Sequence, residues 1–126
     1  MKALLAICTV IAVSGCAAEV DQPTMARAHA PIYCDSEQQC TKIWEATQTW
    51  LIRNSGYRLQ TVTSSVIQTY GPQQNMPTLA FTVIKEPVGN GLHQIKIAAS
   101  CSNMFGCQPN EFVAIADYKD FILQLP

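Results

Sequence analysis

The chain has 126 residues, 13% of them charged, and a formal net charge of −1, so bulk electrostatics draws it to neither nucleic acid nor anionic lipid. With 48% hydrophobic residues it is too apolar for a disordered chain, and no apolar run reaches the ~20 residues of a bilayer-spanning helix. The length suits one small domain.

Met1-Lys2 supplies a positive start, Ala3 to Val13 is an apolar run interrupted only by Thr9, and Ser14-Gly15-Cys16 follows. This is the three-part layout of a secretory signal, with the charge held in the cytoplasm and small residues at the cut. Val13-Ser14-Gly15-Cys16 resembles the bacterial lipobox, in which the cysteine is acylated and the signal is removed just before it. Residues 1–15 are therefore read as a signal peptide and Cys16 as a lipidated N-terminus that anchors the chain to a membrane through acyl chains. Ala17 and Ala18, with no Asp directly after the cysteine, resemble the enterobacterial pattern that sorts to the outer membrane, facing the periplasm.

Residues 17–33, with Pro23 and Pro31 and no sustained period, read as a flexible tether whose length would give a maximal reach near ~58 Å. His29 in that stretch is expected to be solvated. Ser36 with Gln39 has the form of a capping box, and Gly56 stands where a left-handed helix end is expected. Between them Cys40, Ile43, Trp44, Thr47, Trp50 and Leu51 recur at three and four residues, which predicts a helix over about 37–55 with both tryptophans in the core.

From Tyr57 the period changes to two. Tyr57 to Thr61 and Val66 to Tyr70 suggest a tight hairpin, one bent strand being the alternative. Residues 71–77 read as a loop. Thr78 to Lys85 and Leu92 to Cys101 are the clearest strands, joined through Pro87-Val88-Gly89-Asn90-Gly91. In the last strand Ile95, Ile97 and Ala99 alternate with Gln94, Lys96 and Ala98, so one face is covered and the other wet. Asn110 can cap a final helix running to about Gln124, with Asp117, Asp120 and Gln124 on a solvated stripe. Phe112, Ile115, Ala116, Ile122 and Leu123 face the other way, and Lys119 among them is expected to extend its ammonium to the edge. The whole predicts a two-layer α+β domain over residues 34–126: an antiparallel meander of three or four strands flanked by an N-terminal and a C-terminal helix.

Of the six cysteines, Cys8 leaves with the signal and Cys16 is assigned to the anchor, which leaves Cys34, Cys40, Cys101 and Cys107. An even number in an exported domain implies disulfides, and we pair Cys34 with Cys40 and Cys101 with Cys107, cross-pairing between the two helix starts being the alternative. Each short loop is worth about 2 kcal/mol on the chain-entropy model. A four-thiol zinc site competes, but the five residues between the members of each pair exceed the two to four that structural zinc sites favour.

The sequence holds no Gly-x-Ser-x-Gly, no His-Glu-x-x-His and no phosphate-cradling glycine loop, and His93, at a strand start, reads as a solvated histidine. No catalytic residues, cofactor or metal site are assigned, and binding remains. The candidate contacts are Met104 and Phe105 at the tip of the Cys101–Cys107 loop, and the wet sheet face with Arg58, Gln60, Gln68, Thr82, Gln94 and Lys96. The commoner outcome for such residues is a merely solvated face and a Phe105 folded back onto the core.

The runs Gln39-Cys40 to Trp44, Gly56-Tyr57, Ile67 to Pro72, Lys85-Glu86-Pro87 and Cys101 to Asn110 resemble a group of small proteobacterial lipoproteins of unknown function. That resemblance implies an envelope location and no reaction. The reading reached is a non-enzymatic binding or accessory module with an envelope protein as partner and no nucleic acid; an inhibitor or exclusion factor directed at a lysozyme or a phage is the alternative.

Overall fold

A computed structural model describes residues 19–126, so the signal segment and Cys16 lie outside the described residues. Its first element is a helix, α1 (Gln22–His29), followed by a short strand β1 (Ile32–Cys34). This corrects the tether: the domain begins near Asp21, and only about five residues separate it from Cys16. An eight-residue helix does not persist alone in water. It forms here because it has a partner, burying Thr24 and Ala28 against the C-terminal helix.

The long helix α2 (Glu37–Asn54) starts where the capping pattern places it. Ser36 Oγ accepts the amide of Gln39 at 3.1 Å, and the Gln39 side chain reaches back to the amide of Asp35 at 2.9 Å. The buried residues of α2 are the six of the predicted stripe. Its end differs from expectation: Ser55 is extended, and Gly56 does not adopt a positive φ. A side chain at Gly56 would instead collide with Thr78, so glycine is required there by close approach.

Residues 57–70 form a hairpin of β2 (Leu59–Val62) and β3 (Val66–Thr69). Thr63 closes the turn through its hydroxyl, which accepts the amides of Ser65 at 3.2 Å and Val66 at 2.9 Å. The strands β4 (Met76–Gly89) and β5 (Leu92–Ser102) are longer than predicted. Only Asn90 and Gly91 turn the chain between them, both at positive φ of 55° and 75°, the geometry that an Asn-Gly pair supplies.

The sheet has five strands in the order β1-β5-β4-β3-β2, every neighbouring pair antiparallel. The strand beyond the predicted four is β1, which extends the meander at its β5 edge. The last helix, α3 (Glu111–Leu123), begins at Asn110, whose side chain accepts the amide of Phe112 at 2.8 Å.

All three helices lie on one side of the sheet. Ile67, Leu79, Phe81, Val83 and Ile95 meet Ile43, Trp44, Trp50 and Leu51 of α2 and Ala114, Tyr118 and Ile122 of α3. The Trp50 ring packs edge-on to Phe81 and Tyr118, with centroids 5.5 and 5.3 Å apart. On α3 two expectations change, at Leu123 and Lys119. Leu123 is 75% exposed, Tyr118 is fully buried, and Lys119 is only 8% exposed. Lys119 Nζ donates to the carbonyls of Ala28, at 2.6 Å, and of Ala30, so it satisfies the end of α1 rather than reaching water. Asp120 pairs with Arg27, and His29, although exposed, stacks on Phe112 at 5.7 Å.

Candidate functional site

The two disulfides join Cys34 to Cys40 and Cys101 to Cys107, with Cα atoms 5.2 and 5.7 Å apart. They sit toward opposite ends of β5: Cys34 is opposite His93, whereas Cys101 lies eight residues further along the strand, about 27 Å away. Distance therefore excludes a shared four-thiol centre.

The second disulfide closes a loop that leaves β5 at Ser102 and is anchored again beyond Cys107. Gln108 donates its amide to the carbonyl of Pro77 at 2.9 Å, and Asn110 caps α3. At the tip, Gly106 donates to the Asn103 carbonyl at 3.2 Å, which makes Asn103 to Gly106 a β-turn with Met104 and Phe105 as its two central residues. Gly106, at φ +95°, lets the chain turn back toward Cys107. The amide of Phe105 is held by Asn103 Oδ1 at 3.3 Å. Central turn positions project outward, and Met104 is 89% and Phe105 90% exposed. Phe105 does not fold back onto the core.

The open face of the sheet carries the other candidates. Gln68, Thr82 and Lys96 lie on it together, Gln68 opposite Thr82 and Ile84 opposite Lys96. Lys96 is paired with Glu86, and Gln94 stands beside Tyr33 of β1. Arg58 and Gln60 are exposed at the outermost strand, and Gln60 falls within the bulge between Leu59 and Thr61. Lys96 and Cys101 are five residues apart on β5, about 17 Å, so the loop tip and the sheet face are separate surfaces. A hollow of about 460 Å³ runs between β1, the start of α2 and the C-terminal residues. Its polar side chains are Ser36, Gln38, Gln39, Lys42 and Tyr33, with no histidine, cysteine or acid.

His93 is the other departure from expectation. It is only partly exposed, and its Nδ1 is buried without a hydrogen-bond partner among the described residues, an arrangement that costs about 1–3 kcal/mol. The β1–β5 register sets it beside the first disulfide, which no local pattern announced because positions 34, 40 and 93 meet only through the ladder. Comparison with protein-family models, with curated proteins and with solved structures found no match to this chain.

Proposed function

We propose that the protein is a lipid-anchored envelope module that acts by binding a partner protein rather than by catalysis, with Met104 and Phe105 as its contact. The observation that carries this reading is their nearly complete exposure on a turn closed by a disulfide. Two large apolar side chains in water are costly to display, and a covalently closed loop loses little entropy when it docks. Each side chain contributes about 1.5–3 kcal/mol when buried in an apolar cleft. The lipobox-like run ending at Cys16 supports the anchor, and the small net charge leaves the acyl chains as the means of attachment. A partner with a catalytic cleft would make the chain an inhibitor, a second reading that the projecting turn favours.

A photoactivatable crosslinker at Met104, irradiated in whole cells, tests this. The expected result is one discrete adduct with an envelope protein, lost when Phe105→Ser is added. No adduct, or adducts indifferent to Phe105→Ser, overturns the reading, and the identity of the captured protein separates an accessory role from inhibition.

A further inference from the structure

Cys34 and His93 face each other across the β1–β5 ladder, and the Cys34–Cys40 bond brings a second sulfur to the same place. Both sulfurs and a ring nitrogen of His93 lie within 4.8 Å of one another. His93 Nδ1 is buried with no hydrogen-bond partner among the described residues, which leaves the imidazole a lone pair to offer a metal. A cavity of about 370 Å³ opens onto Cys40 and His93, with Asp35, Glu37, Thr41 and Lys85 around it.

We propose that reduction of the Cys34–Cys40 bond converts this cluster into a Zn²⁺ site whose protein ligands are two thiolates and the His93 imidazole. Thiolate and imidazole are the donors that Zn²⁺ takes most readily, and three protein ligands with one open position form a known zinc geometry. Five residues between cysteines is long for a zinc motif, but here the ladder, not the local spacing, delivers the third ligand. Tetrahedral Zn–S bonds of about 2.3 Å place the sulfurs about 3.8 Å apart. Side-chain rotation supplies that separation, since the two Cα atoms are already 5.2 Å apart.

The chemistry balances with a dithiol as reductant. Its two sulfurs close into a disulfide while Cys34 and Cys40 each receive one electron and one proton and become thiols. Zn²⁺ then displaces those two protons, bonds to both sulfurs and to the neutral imidazole, and takes water from the cavity as its fourth ligand. Lys85, whose ammonium rests 5.2 Å over the Trp44 ring at the cavity rim, adds positive charge that favours thiolate over thiol.

The test uses the full chain with Cys8→Ser, Cys16→Ser, Cys101→Ser and Cys107→Ser, reduced by a phosphine and titrated with Co²⁺ as a spectroscopic substitute for Zn²⁺. One equivalent should bind with a thiolate-to-cobalt charge-transfer band, abolished by Cys34→Ser and weakened at least ~10-fold in affinity by His93→Ala. No Co²⁺ uptake by the reduced chain, or equal affinity in His93→Ala, overturns the proposal. Because these variants can disturb the β1 edge, nitrogen NMR of His93 in the reduced chain of natural sequence is a second readout. Zn²⁺ must move the His93 ring-nitrogen shifts, and unchanged shifts overturn the site.

Discussion

Tyr118 of α3 and Thr47 of α2 share a 2.7 Å hydrogen bond in the middle of the core, where neither side chain reaches solvent. The Thr47 hydroxyl donates to the Ile43 carbonyl at 2.8 Å, which leaves its oxygen to accept from Tyr118. Burial pushes the Tyr118 phenol up to about 12 from its ordinary value of 10.0. The native state thus holds the proton more tightly than the unfolded chain. Its contribution to stability is complete below pH 10 and is lost as pH climbs through about 12. Urea midpoints should fall over that interval for the natural chain, and Tyr118→Phe should fall less steeply. At neutral pH the same variant should lose about 1 kcal/mol.

Lys119 and the end of α1 form a second testable link. The ammonium bonds the carbonyls of Ala28 and Ala30, and burial lowers its pKa below the ordinary lysine value. Lys119→Met removes the donor and leaves two carbonyls without it, a loss of about 1–3 kcal/mol. Hydrogen exchange should show this locally: amides of residues 25–30 should exchange faster, while those of β4 keep their protection. Unchanged exchange in α1 would mean that the helix does not depend on this contact.

What was legible in the sequence follows from where the information lies. The core face of α2 could be read because eighteen residues repeat one period and because Ser36 and Gln39 mark the start. The glycine-bearing connection and the alternation of β5 were equally local, although the connection is Asn90-Gly91 alone where five residues, 87–91, were expected. By contrast α1 and β1 are too short to show a period, and what stabilises them is elsewhere in the chain: Ala116 and Lys119 for the helix, His93 to Ile95 for the strand. The same applies to Tyr118, whose burial depends on Thr47, and to His93, whose neighbours come from β1 and α2. For the loop, the residues were found by spacing, but the exposure of Phe105 depends on the Asn103–Gly106 turn, which positions the side chain at the tip of the disulfide-closed loop.

The loop makes separable predictions. Phe105→Ser should leave stability within about 0.5 kcal/mol, because its side chain touches little besides water. Joint Cys101→Ser and Cys107→Ser should cost about 2 kcal/mol in thermal or urea unfolding, from the released loop entropy. Partner capture through residue 104 should fall in both variants. A loss confined to the disulfide variant would show that the loop's closure matters and its phenyl ring does not.

Anchoring depends on how close to Cys16 the folded domain starts. Gln22 already belongs to α1, so the stretch from Cys16 to the fold reaches about 20 Å at most, a third of what a tether to residue 33 would allow. Among the described residues no helix is long and apolar enough to cross a membrane, and a net charge of −1 offers no electrostatic hold on anionic headgroups. If Cys16 is acylated, attachment rests on those chains, each buried methylene contributing about 0.8 kcal/mol. High salt should therefore leave the natural chain in the membrane fraction, whereas Cys16→Ser should carry no acyl group and accumulate with residues 1–15 still attached, held only by the apolar run Ala3 to Val13. Intact mass of the extracted chain should show acyl groups on Cys16. An unmodified cysteine, or a mature start at another residue, would remove the anchor and with it the close approach of α1 to the lipid surface.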